Sequence, residues 1–478
     1  MKSYIKIGMA AALATATACE VAAQDARSMF LMTTTTQNHR LNPAMLREGN
    51  ISFLLGNIGV GANANIGLGN FVYPTTGNPD YELTTFMHPS VSAAEFLGKL
   101  HKNNKLNVAA DVTLFSVAFR ALKGVNLVEL NVRSNTSATL PYELFDFMKQ
   151  AGEKEYYSFK DLGANSQNYA ELALGHSHAI GKHLTIGAKL KLLVGAGYAN
   201  LDVKRMDVTL TGDRWNINAD ARADMALFDT HFKLNEEKMK EGKHRVSGID
   251  DVKVGIAGMG VAVDLGATYK FPTRIVDGLT VSASVLDLGF INWNKSNRAT
   301  SQGNYTFDGF KDPIYTGIGD NNKGGDVEHP NSIGKQVDAL VDDVKEMFSL
   351  YDEGRQTANS MLAATINVGA RYEMPFYRPF SVGVLYTQRV QGRYSWEQAT
   401  MLAGVHPLKW LEVSANGSYS SLAGMSTGGV LSLRAPHFNF FVGADYNFRK
   451  IGYLSAGTPV LPVGRAGINA SLGINFPL

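Results

Sequence analysis

The chain has 478 residues, of which 45% are apolar and 18% charged, with a formal net charge of +2. No window holds 18 consecutive apolar residues, so no transmembrane helix is indicated, and the near-neutral charge gives no electrostatic case for nucleic acid. With 48 glycines, 15 prolines, 19 tyrosines and 24 phenylalanines, the composition fits a strand-rich chain with many tight turns, built as two or three soluble domains or one large barrel.

The first elements are not structural. Lys2 and Lys6 precede the apolar stretch IGMAAALATATA, and Val21 and Ala23 occupy small-residue positions before a cut at Ala23/Gln24. Residues 1–23 therefore read as a secretory signal peptide. Cys19, the single cysteine, falls inside it; lipid attachment is its second reading, although Ala16 stands where lipoproteins usually carry a leucine-like residue. An exported chain without cysteine has no disulfides to hold it, and a fold closed by backbone hydrogen bonds is a natural substitute.

Alternating segments follow. Strands are predicted near 51–68, 106–120, 125–135, 166–180, 183–200, 258–271, 279–293, 361–373, 380–391, 398–406, 410–421, 427–434, 437–449 and 465–476. In HLTIGAKLKLLVGAGY, Leu184, Ile186, Ala188, Leu190, Leu192 and Val194 share one face opposite Lys189 and Lys191. Short turns follow the even-numbered strands, whereas 69–105, 136–165, 201–257 and 294–360 are long connections. Short and long connections alternating, with both termini on the short-turn side, describe a closed antiparallel transmembrane β-barrel of about fourteen strands spanning 51–478. A slip of phase near Val285 predicts a β-bulge. The closing strand, Ala466 to Phe476, alternates without a break, as it must to pair with the first strand and remove the exposed edge. Its near-terminal aromatic is similar to the signal read by outer-membrane insertion machinery.

Two connections carry helical spacing. In NSIGKQVDALVDDVKEMFSLYDEG, Ile333, Val337, Leu340, Val341, Val344, Met347, Phe348 and Tyr351 recur every three or four residues, opposite Asp338, Asp342, Asp343 and Glu346. This acidic 332–353 helix reads either as a lid for a hydrophobic ligand or as a helix packed on the rim. Pro141 to Gly152 reads as a shorter loop helix. His176 and His178, with His183 across a turn, invite a metal hypothesis, but they share a face with Leu172, Leu174 and Ile180 and suit a membrane interface better.

Three stretches carry a resemblance. HRLNPAML contains Asn42-Pro43-Ala44, while VDLGATYKF and VSASVLDLGFINWN (Asp264 to Asn294) are similar to a paired-strand signature. Together they resemble an uncharacterised family of Bacteroidota outer-membrane proteins related to the FadL-type long-chain fatty acid transporters. The resemblance implies a plug formed by residues 24–50, with Asn42, Pro43 and Ala44 at its turn, and an incidental Asn-Pro turn is the alternative. It further implies passive uptake or binding of a hydrophobic small molecule. A barrel that anchors or shuttles protein partners is the other function open to the same fold.

The strand alternation points Lys189, Lys191, Asp264, Lys270, Arg389, Asp445 and Arg449 into the lumen, as a polar barrel interior requires. Leu193, Phe441, Leu286 and Leu288 fall on the same nominally polar phase. No nucleophile elbow, zinc-protease helix or phosphate loop is present. The expectation is a monomeric, non-catalytic bacterial outer-membrane protein without a cofactor or metal.

Overall fold

A computed structural model describes residues 27–33, 35–74, 83–150, 153–211, 214–253, 255–273, 276–307, 349–447, 451–452, 461–462 and 464–477. Fourteen strands form the wall: β1 (Asn50–Ala64), β2 (Asn103–Ala121), β3 (Gly124–Pro141), β4 (Leu162–Ile180), β5 (Leu184–Thr211), β6 (Gly258–Lys270) and β7 (Leu279–Phe307). The second half comprises β8 (Ala364–Glu373), β9 (Phe380–Val390), β10 (Trp396–Leu408), β11 (Leu411–Ser420), β12 (Gly424–Arg434), β13 (Asn439–Tyr446) and β14 (Ala466–Pro477). Each pairs antiparallel with the next. The ring closes where Ile58 to Ala64 pair with Leu472 to Ala466. The closed, fourteen-stranded barrel is the architecture read from the alternation.

The wall is inside-out relative to a soluble protein. Leu172, Leu190, Leu192, Leu265, Val384, Met401, Val413 and Leu472 are exposed, whereas Asn107, Thr113, Asn131, Ser284, Thr387, Thr400 and Ser471 are buried. An apolar belt facing outward and polar groups paired within is the arrangement a bilayer selects.

Two strands outgrow the bilayer. On β5, Lys189 and Lys191 face inward while Leu190 and Leu192 face outward; farther along, Val203, Met206 and Val208 are buried and Lys204 and Arg205 exposed. The apolar side switches from outside to inside, assisted by a bulge between Val203 and Arg205. β5 and β7 extend into a sheet with Arg214–Leu227 and Tyr351–Met361. Much of 201–257 and part of 294–360, expected as loops, are therefore strands. Charged residues such as Lys204, Arg205 and Arg222 face outward there, where the sheet meets water instead of lipid.

Beneath this sheet lies an aromatic core. Phe86, Phe96, Phe145, Phe147 and Phe159 pack with Val203, Met206, Val208 and Ile217, and Phe86 stacks on Phe96 with centroids 4.2 Å apart. Two helices contribute to it: α1 (Ala93–Leu97), capped by Ser92, and α2 (Tyr142–Gln150). Helix α2 matches the short helix expected from Pro141 to Gly152. Most of the expected 332–353 acidic helix, like the signal peptide with Cys19, lies outside the described residues; its last three, Tyr351 to Glu353, open the Tyr351–Met361 strand instead.

Candidate functional site

The segment Arg27–Met45 is buried within the barrel as three 3₁₀ turns. Asn42 caps the last of them. Its Oδ1 accepts from the Ala44 N–H at 2.9 Å, and its Nδ2 donates to the carbonyls of Ala267 and Ala283, 3.1 Å each, on β6 and β7. Pro43 suits the first helical position, where an N–H has no partner. Ser284 and Asn367 donate to the Leu41 carbonyl at 2.6 and 3.0 Å, and Ser177 donates to that of Ala44 at 3.3 Å. The turn fits because the wall lacks side chains there: a Cβ at Gly187 would strike Pro43 and Ala44, and one at Gly266 would strike Asn42 and Pro43. Farther round the wall Phe30 and Leu31 lie over Gly369 and Gly383, within an apolar cluster that includes Leu385, Leu402, Val430 and Phe441.

Next to this turn, toward the long connections, is a network of buried charges. Lys191 Nζ lies 2.5 Å from Asp287 and 2.8 Å from Asp264. Arg133 reaches Asp287 at 2.9 Å, Asp111 at 2.9 Å and Glu171 at 3.4 Å. Arg40, from the N-terminal segment, pairs with Asp111 and lies 3.7 Å from Glu129. Asn131 donates to Glu129 at 2.7 Å and to Glu171 at 3.2 Å. Asp287 adopts φ 58° at the slip between β6 and β7, and its N–H donates to Asp264 at 2.7 Å. The bulge expected near Val285 thus turns a carboxylate inward.

His39 joins segment and wall. Lys189 Nζ is 2.8 Å from His39 Nδ1, and His39 Nε2 is 3.5 Å from Glu129. An ammonium can only donate, so Nδ1 is an acceptor and the ring is neutral, with its proton on Nε2. Burial, then the Lys189 charge, lower the His39 pKa well below the ordinary histidine value.

On the far side of the charges the interior turns apolar. Tyr169, Leu193, Tyr198, Ile291, Trp293, Ala358 and Leu362 pack together. Trp293 stacks on Tyr198 at 5.1 Å and donates to Ser360 Oγ at 2.7 Å, its ring lying against Gly195 and Gly258. Beside this cluster is a cavity of about 110 Å³, lined among others by Arg133, Lys191, Asp287, Ala363, Arg389 and Trp396.

Among the described residues, the wall is interrupted beside that cavity. β8 pairs with β9 as far as Ala364 opposite Val390. Beyond it the chain continues as Tyr351–Met361, paired to β7; among the described residues its other edge is paired only at Tyr351, with Arg245. The neighbouring Gln391–Ser395 turn bends across the lumen. Ser137 donates to Gln391 at 3.3 Å, Arg393 donates to the Leu162 carbonyl at 3.2 Å and pairs with Asp202. Ala363 lines the cavity on one side of the interruption, and Arg389 and Trp396 line it on the other.

The structure brings Asn42, Pro43, Ala44, Lys189, Lys191 and Asp264 into one assembly, with Arg389 at its edge, 3.0 Å from Asn135. Asp445 is buried elsewhere, accepting from Asn416 at 2.6 Å. Lys270 is exposed at the end of β6, and Arg449 lies outside the described residues. Leu193, Phe441 and Leu286 are buried, but Leu288 is 53% exposed; the slip at Asp287 returns it to the lipid face. His176 Nδ1 donates to Asn126 Oδ1 at 2.9 Å, and His183 Nδ1 donates to the Lys270 carbonyl at 3.0 Å. No group of three metal-ligating residues occurs among the described residues.

Sequence reading missed His39, Arg40, Asp111, Glu129, Arg133, Glu171 and Asp287. Glu129, Asn131, Arg133 and Asn135 alternate with Val128, Leu130 and Val132, so the inward set of β3 was available from period two alone.

The chain belongs to a family of unknown function, DUF5723, whose model matches residues 43–445. No curated protein matches it in sequence. Solved structures similar in outline include the toluene transporter TodX of P. putida, at 10% identity and TM-score 0.40 over 94% of each chain. A Pseudomonas aeruginosa FadL homologue aligns at 10% identity and TM-score 0.42, over 94% of this chain and 95% of its own. The monoaromatic hydrocarbon channel CymD aligns at 10% identity and TM-score 0.39 over 94% of each chain. Likeness at this level carries nothing about what the present chain binds.

Proposed function

We propose that this DUF5723 protein is a passive bacterial outer-membrane barrel that takes hydrophobic small molecules from the long-connection side and releases them sideways through its wall. Residues 24–50 act as the plug that blocks the axial route. The supporting observation is the juxtaposition of the cavity lined by Ala363, Arg389 and Trp396 with the end of the wall interruption nearest the lipid belt, where Met361 and Val390 are exposed. The charge network, whose Arg133, Lys191 and Asp287 also line the cavity, supports it by closing the axis: an apolar molecule moving that way would have to separate and desolvate buried ion pairs, which is strongly unfavourable. The apolar cluster around Trp293 and Leu362 offers the other environment in reach. Such release needs no energy coupling, since the lipid is itself the sink.

The test is transfer of an apolar fluorophore from solution into vesicles containing the full chain, comparing wild type with Ala363→Trp. Transfer slowed about tenfold in the variant, with unchanged probe binding, is expected; equal rates refute the lateral route. A second reading, a barrel that anchors protein partners, draws on the filled, charged lumen and the ordered aromatic cap. A stoichiometric protein partner retained by a chain that takes up no apolar probe would establish it instead.

A further inference from the structure

The short turns repeat one composition. At the β2–β3 turn Leu122 is 82% exposed beside Lys123. At β4–β5, Ile180 precedes Lys182 and His183, and at β6–β7, Tyr269 precedes Lys270; all are exposed. Between β8 and β9, Phe376, 82% exposed, and Tyr377 precede Arg378. Between β10 and β11, Leu408 and Trp410 flank Lys409; between β12 and β13, Arg434 and His437 precede Phe438. All six turns therefore set an exposed base next to an exposed apolar side chain.

The acids of this rim are already matched. Glu48 pairs with Arg120, Asp277 with Arg378 and Glu373 with Arg371. Lys123, Lys182, Lys270 and Lys409 are exposed, and no ion pair holds them among the described residues. At the opposite end Lys243 pairs with Glu353, Lys253 with Asp229 and Arg205 with Asp207; Lys233 and Lys238 are exposed there beside Leu234 and Met239, but on the sheet that rises past the lipid belt.

We infer that the short-turn rim is a collar for anionic phospholipid headgroups of the leaflet it meets. The inference rests on the reading that this barrel spans a bilayer. Apolar side chains at the rim seat in the acyl boundary, where amphipathic rings are favoured. The four lysines then lie at headgroup depth, each unmatched by protein charge and positioned to meet a phosphate. A lysine near an anionic membrane surface enriches the lipid by roughly fivefold, an effect that salt screens.

The experiment is native mass spectrometry of the full chain released from micelles containing equal phosphatidylglycerol and phosphatidylcholine. Wild type is expected to retain the anionic lipid at least about tenfold over the zwitterionic one. The combined variant Lys123→Gln, Lys182→Gln, Lys270→Gln, Lys409→Gln falls to near parity, while Lys233→Gln with Lys238→Gln, at the other end, keeps the preference. Equal retention by wild type, or a preference unchanged in the four-lysine variant, overturns the collar. An acidic protein bound at the turns in place of lipid also overturns it. Resistance of the folded barrel to detergent, read by electrophoretic mobility, reports separately on the membrane-spanning reading; a chain lacking it fails on both counts.

Discussion

Asn42→Ala removes three hydrogen bonds without touching a strand ladder: one that caps the turn and two from Nδ2 to the carbonyls of Ala267 and Ala283. Those carbonyls belong to paired strands, so neither is left as a buried orphan. At roughly 1 kcal/mol net for each bond, docking of the N-terminal segment loses about 2–3 kcal/mol, or about 30- to 150-fold in the docked ratio. Hydrogen exchange read by mass spectrometry should show faster exchange across residues 27–46 and unchanged protection in β6 and β7. Gly187→Val should give the same pattern with Asn42 intact, because the added side chain meets the Pro43 carbonyl. Unaltered exchange in the segment for both variants would refute the reasoning.

Three further outcomes follow from the same geometry. Arg133→Met leaves Asp111, Glu171 and Asp287 short of a shared cation and should cost about 3–5 kcal/mol in denaturant unfolding; Asp287→Asn added to it should recover part of that loss. His39 is neutral when docked and its pKa is depressed, so the undocked segment binds the extra proton. Docking is therefore complete above the ordinary histidine pKa of about 6.5 and weakens as pH falls below it. Exchange of residues 27–46 at pH 5 and pH 8 checks this, and His39→Gln should flatten the difference. Asp202→Ala removes the pair with Arg393, loosening the Gln391–Ser395 turn; trypsin cleavage at Arg393 should rise, and an unchanged rate would count against the turn's role as a bridge.

The barrel was legible because lipid imposes one rule on every spanning strand, apolar outward and polar inward, and period two exposes it directly. Leu190 and Leu192 against Lys189 and Lys191 need no tertiary information. The cap was not legible by that rule. Past the bilayer the rule reverses, so Lys204 and Arg205 outside and Val203 and Met206 inside break the pattern that marks a spanning strand. The charge network was half visible. Lys189, Lys191 and Asp264 follow from alternation, but Asp287 turns inward only through a backbone slip, which one sequence locates no better than to a few residues. His39 and Arg40 belong to irregular chain, where no periodicity assigns a direction. Asn42-Pro43-Ala44 shows the opposite case: a local cap written in three residues, whose long-range fit depends on glycines more than a hundred positions away.

The central claim concerns where a hydrophobic molecule resides, and photolabelling measures that directly. The full chain in lipid nanodiscs would be irradiated with an apolar diazirine probe and its labelled peptides identified. Label concentrated on inward residues beside the interruption, Leu193, Trp293, Leu362 and Ala363, and competed by unlabelled hydrocarbon is the predicted result. Label confined to the lipid-facing belt at Leu172, Leu190 and Met401, with none competed, would contradict the account.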